Sequence, residues 1–191
     1  MPVMHDTKCS RTNRIRQIAS VTRYRFGQGC QHLGLVKPLT NQEHKEVERW
    51  LPTGSLWLFH SMSIADQRHS LRVCLGLRTR GCVEDDMLAA ALLHDVGKAQ
   101  GRAPFWTRPA IVLAKTFAPA LLTELVPPLE QLDAPAIPRW RRSLGYAWWH
   151  AEVGAALAAR AGLSERAVLY IRTHHQPAGP AAELHLVDEV S

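Results

Sequence analysis

The stretch "DDMLAAALLHDVGK", Asp85–Lys98, runs from two acids through seven apolar residues to an adjacent His94 and Asp95, then to Gly97 and Lys98. The acids suit the positive end of a helix, and Gly97 breaks it after His94. Met87, Leu88, Ala91 and Leu92 form an apolar stripe at helical spacing. His94 stacks on Ala90 and Ala91, and Asp95 on Ala91 and Leu92, so both polar side chains leave from the core side. A carboxylate buried there without a partner is strongly destabilising. The rest of the chain must therefore supply a compensating cation.

The same helical grammar extends in both directions. Thr40-Asn41-Gln42-Glu43 is a capping-box pattern opening a helix that runs to Trp50 and stops before Pro52. A short helix is expected over Ser55–Phe59, and a longer one capped by Ser63 runs to about Arg80, where Gly81 ends it. Residues 99–108 read as a loop, 110–126 as an apolar segment, and 127–138 as a proline-rich link. A further helix is expected from Tyr146 to Ala161, and another, capped by Ser164, stops before Pro177. The last begins near Ala181 and carries Asp188. β-Branched runs, alternation and Asn-Gly turns are scarce, so the expected class is all-α.

Histidines recur on the apolar faces of these helices. His174 and His175 follow Ile171 by three and four residues; His150 precedes Val153, Gly154 and Leu157; His69 shares a face with Ala65 and Val73. Each alone reads as a hydrogen-bonded core histidine. Five inward imidazoles and one inward carboxylate on four helices are harder to satisfy that way. A metal centre satisfies them together, since neutral imidazoles and carboxylates ligate zinc, iron, manganese and cobalt.

The series "RHSLRV" (His69), "LLHDVGK" (His94, Asp95, Lys98), "HAEVGAALAARAGL" (His150), "IRTHHQP" (His174, His175) and "LVDEVS" (Asp188) resembles the HD-domain metal-dependent phosphohydrolases over roughly residues 60–191. The order is similar to the dinuclear branch that includes the HD-GYP cyclic-dinucleotide phosphodiesterases. The resemblance implies an all-α HD-domain helical bundle. It also implies one metal held by His69, His94, Asp95 and Asp188, and a second held by His150, His174 and His175, with Asp95 bridging. Lys98 is then a cationic clamp on the scissile phosphate, and Arg72, one turn after His69, a second phosphate contact. Asp66, one turn before His69, either orients that imidazole or completes the Ser63 cap. Twelve residues separate His175 from Asp188 and no Gly-Tyr-Pro follows the histidine pair. A cyclic-di-GMP substrate is therefore not implied. The implied partner is a phosphorylated small molecule, a nucleotide, and the implied activity is hydrolysis by metal-activated water. The competing class is a non-catalytic nucleotide sensor or partner-binding module with a structural metal.

Charge divides the 191-residue chain. Residues 1–40 contain seven bases and one acid, while the remainder balances 16 bases against 16 acids. The expected organisation is a basic N-terminal extension over 1–40 and a helical domain over 41–191. The extension suits nucleic acid, anionic lipid or simple solvation. The neutral domain has no helix-turn-helix or RNP-type signature, which argues against specific nucleic-acid binding. The apolar stretch "PAIVLAKTFAPALLTELVPPL", 109–129, is interrupted by Lys115, Pro119 and Glu124 and falls short of a span. It reads as a helix pair that covers the site, dimerises or lies on a membrane surface. Cys9, Cys30, Cys74 and Cys82 have no paired spacing, and the first thirty residues lack an apolar signal region, so reduced thiols in a cytoplasmic protein are expected.

Overall fold

A computed structural model describes residues 36–99, 102–104 and 107–191, the side chains of Arg108 and Pro109 excepted. The basic extension through residue 35, with Cys9 and Cys30, lies outside the described residues. A compact unit spans Pro38–Ser191. The described residues form ten α-helices and no strand: α1 Asn41–Trp50, α2 Leu56–His60, α3 Ile64–Thr79, α4 Asp85–Leu93, α5 Thr107–Phe117, α6 Pro119–Leu125, α7 Arg139–Trp148, α8 His150–Arg160, α9 Glu165–Thr173 and α10 Ala182–Asp188. Leu39, just ahead of α1, is buried in the main core, and Pro38 O accepts a 2.9 Å bond from Arg68.

Local chemistry sets most helix ends. Thr40 and Glu43 form the reciprocal capping box of α1. The hydroxyls of Ser63 and Ser164 accept from the backbone of Asp66 and Ala167 to start α3 and α9. Gly81 and Gly162 follow α3 and α8 with φ of 91° and 83°, the left-handed turn that a residue with a Cβ resists. Ser63→Ala and Ser164→Ala should each cost about 1 kcal/mol of stability, read as a lower denaturant midpoint with an unchanged slope.

α4 is the centre of the bundle. Every residue from Met87 to Leu93 is buried, and α3 and α9 pack against it. α10 lies on α3 at Gly76, where a Cβ would sit 2.7 Å from a Val187 methyl. That close approach carries Asp188 to the side of His69, 119 residues earlier in the chain. Cys74 is free and buried in this core, and burial pushes its thiol up to about 12, which makes it unreactive.

The expected helix from Tyr146 to Ala161 is two helices. α7 starts directly after Pro138, and the chain bends at Trp149, whose indole donates to Pro127 O at 3.0 Å. Two α7 arginines bond backbone: Arg141 donates to Leu125 O and Glu124 O, the open carbonyl end of α6, and Arg142 to Ala134 O and Ile137 O. The 109–129 stretch is a helix pair, α5 and α6, broken at Ala118 with Pro119 opening the second helix. Ile111, Leu122, Val126 and Leu144 give these helices and α7 a small core separate from the main one.

Candidate metal centre

α4, α7, α9 and α10 all end at one place. His94 and His174 are the residues immediately after α4 and α9, His150 opens α8 directly beyond α7, and Asp188 closes α10. A helix leaves its last carbonyls without partners and its C-terminal end negative. Here those carbonyls fix imidazoles. His94 Nδ1 bonds Ala91 O at 2.8 Å, His150 Nδ1 bonds Ala147 O at 2.9 Å, and His174 Nδ1 bonds Ile171 O at 2.7 Å. A carbonyl only accepts, so each Nδ1 carries a proton, and Nε2 is the atom left to present a lone pair whenever the ring is neutral. This three-residue back-bond orients metal-ligating histidines.

The Nε2 atoms and the two carboxylates converge. Asp95 Oδ1 lies 3.8 Å from His94 Nε2 and 3.6 Å from His150 Nε2. Asp188 Oδ1 lies 2.8 Å from His69 Nε2 and 3.5 Å from His94 Nε2. His175 is exposed at the edge, yet its Nε2 comes within 2.8 Å of His150 Nε2. The ring centroids of His174 lie 5.1 Å from His94, 5.4 Å from His150 and 3.9 Å from His175. Two groups have ligand atoms within 4.8 Å of one another: His150, His174 and His175, and His69, His94 and Asp95. The structure thus brings His69, His94, Asp95, His150, His174, His175 and Asp188 to one locus.

The remaining candidates fall differently. Lys98 places Nζ 2.6 Å from Asp95 Oδ1, so it neutralises that carboxylate from the open side. Arg72 is exposed on α3 and has no hydrogen bond or ion pair with the cluster among the described residues. Asp66 is buried and bonds Ser63 at the start of α3, while His69 Nδ1 has no hydrogen-bond partner. Asp66 therefore caps and does not orient His69. His185 escaped the sequence reading: one turn before Asp188, it bonds His174 O through Nδ1 at 3.2 Å. No local pattern signals that contact, which exists only because α10 folds back beside the end of α9.

A metal ion fits these residues. His94 Nε2 and His174 Nε2 are buried without a hydrogen-bond partner, a cost that isolated core histidines do not bear. Both point where the carboxylates and helix C-termini concentrate negative charge, and nitrogen and carboxylate donors suit a divalent transition ion.

Titration follows from this crowding. Burial drives His150 and His174 well below the ordinary imidazole value, helped by Lys98 at the first and by His94 at the second. Partial enclosure and then Lys98 push His175 down to about 4. Burial acts the same way on His94, but Asp95 and Asp188 outweigh it and raise that ring to about 9. Burial opposes ionisation of both carboxyls as well. Lys98 and His94 overcome it at Asp95, and His94 and His69 at Asp188, so both stay ionised far into acid.

A histidine with a depressed folded pKa takes up protons on unfolding, so acid favours the unfolded chain. In metal-free protein, His150, His174 and His175 contribute fully above their unfolded value of about 6.5 and lose that contribution as pH falls below it. His94 has the opposite sign: its contribution is complete below about 6.5 and fades as pH rises through about 9. Three histidines against one should lower the denaturant midpoint of chelator-treated protein between about pH 7 and about pH 5. A midpoint that holds or rises over that interval contradicts the buried neutral rings.

No family model matches the chain, and no curated protein or solved structure matches it.

Proposed function

We propose that this protein is a metal-dependent phosphohydrolase of the HD-domain type, acting on a nucleotide phosphoester or phosphoanhydride. The observation that carries the reading is the convergence of two histidine groups on one carboxylate oxygen, with buried Nε2 atoms left for a ligand. His69, His94, Asp95 and Asp188 are suited to hold one ion and His150, His174 and His175 a second, with Asp95 between them.

Divalent ions held there supply Lewis acidity, drawing electrons from a phosphoryl oxygen and acidifying water. The protein's own part is positioning and charge. The Nδ1–carbonyl bonds of His94, His150 and His174 keep the donor atoms in place before substrate arrives, so little reorganisation is needed. Asp95, ionised and within reach of both groups, balances the added positive charge. Lys98, partly exposed beside Asp95, turns its ammonium from that carboxylate to a substrate phosphate.

The test is elemental analysis followed by turnover. Protein stripped with chelator and reloaded with manganese, iron, cobalt or zinc is assayed on nucleoside mono- to tetraphosphates, cyclic dinucleotides and guanosine alarmones. Hydrolysis of at least one class, lost on stripping and restored on reloading, is expected. Stoichiometric metal with no turnover of any of them would replace the hydrolase by a metal-stabilised binding module. Lys98→Ala should raise KM for the active substrate by about tenfold or more and leave metal content unchanged.

A further inference from the structure

α10 is a helix of seven residues that ends on a candidate ligand, Asp188. A helix so short is marginal by itself, so its neighbours must fix where that carboxylate lies. Leu184 and Val187 are buried in the main core and seat the helix on α3, beside His69. Toward the end of α9 the described residues show one hydrogen bond, between His185 Nδ1 and His174 O at 3.2 Å. A carbonyl only accepts, so His185 Nδ1 carries the proton. The acceptor belongs to the peptide that joins His174 to His175, just past α9, where a helix leaves carbonyls without partners of its own.

His174 is thus held twice, its ring by Ile171 O and its backbone by His185. Three residues beyond His185, one turn along the same face of α10, Asp188 Oδ1 lies 2.8 Å from His69 Nε2 and 3.5 Å from His94 Nε2. His185 therefore stands between the ligands of one group and those of the other. The covalent connection between the two, residues 175–180, is exposed throughout, so packing does not fix their spacing there. His185 itself is half-buried, and among the described residues it has no ion pair or ring contact. We propose that His185 is a positioning residue of the metal centre: its Nδ1–H ties the His174–His175 peptide to α10, so that the histidine pair and Asp188 keep their spacing and take up ions as one unit. This role rests on the reading of the cluster as a metal centre and adds the residue that joins its two halves.

The test is the zinc affinity of the full chain, measured by competition with a chromophoric chelator, in wild type, His185→Leu and His185→Asn. Leucine fills the space without a donor, whereas asparagine puts an amide N–H close to where Nδ1 stands. His185→Leu should weaken the binding of each ion that the wild type takes up by about tenfold or more, and His185→Asn by less than about threefold. Denaturant midpoints of the metal-free proteins are read alongside. Wild-type affinity in His185→Leu, with only a lowered midpoint, would overturn the proposal and leave His185 a purely structural tie. Equal weakening in both variants would overturn it as well, because the donor would then not be what counts. A wild type that binds no zinc would remove the metal centre itself, and with it anything for His185 to position.

Discussion

Asp95→Ala should release bound metal and reduce phosphate hydrolysis by about a thousandfold or more. One oxygen of this residue lies within 4 Å of His94, His150 and Lys98, so it joins the two histidine groups. Losing it separates the histidine groups electrostatically and removes several kcal/mol of charge stabilisation from the transition state. Lys98 is partly exposed and can turn to water once its partner is gone, so the fold should persist. Elemental analysis and single-turnover assays of the purified variant measure both effects. His175→Gln, at the exposed edge, is the companion: it should reduce metal content while leaving the denaturant midpoint of metal-free protein within experimental error. Full metal content in both variants would mean that the ion binds elsewhere.

Gly97→Ala should be nearly as damaging, although it adds one methyl group and removes no polar atom. A Cβ at Gly97 would lie 2.1 Å from His150 O, 2.8 Å from His150 C and 2.9 Å from Gly154 N. All three are backbone atoms, so nothing can rotate away. Relief requires the Val96–Lys98 turn to withdraw from the start of α8, which parts Asp95 from His150. The expected cost is about 3 kcal/mol, the upper end for overpacking, together with loss of metal. Gly154→Ala faces the same crossing from the other side and is the control. Its nearest contacts would be 3.3 to 3.4 Å, which small shifts relieve, so its midpoint should change by less than about 1 kcal/mol. Equal effects of the two substitutions would show that the close approach at Gly97 does not hold the site together.

What the sequence disclosed and what it concealed divide along range of interaction. Caps are local: Thr40 with Glu43, Ser63 with Asp66 and Ser164 with Ala167 act within four residues, so the starts of α1, α3 and α9 were legible. The inward placement of His94, Asp95 and His174 was legible for the same reason, because helical spacing alone relates each to its apolar neighbours. α7 was not. Its Arg141 and Arg142 satisfy carbonyls of α6 and of the following turn, and the break at Trp149 is fixed by Pro127, 22 residues earlier. None of these contacts leaves a local pattern. His185 was hidden in the same way, since its partner His174 belongs to another helix. Arg72 lies one turn along α3 from His69, as its spacing gives, and is exposed there. The back-bond from Nδ1 to the third preceding carbonyl was visible in principle, as a histidine placed just past the last turn of a helix, and it recurs at His94, His150 and His174.

Every functional statement depends on the buried rings being turned inward to grip an ion. Anomalous diffraction from crystals of the metal-loaded protein is the most direct check. The expected result is one or two peaks enclosed by the ends of α4, α7, α9 and α10, about 2.0–2.2 Å from Nε2 of His94, His150 or His174. A fully loaded protein with no peak among these side chains, and with water bonded to the three Nε2 atoms, would contradict the account.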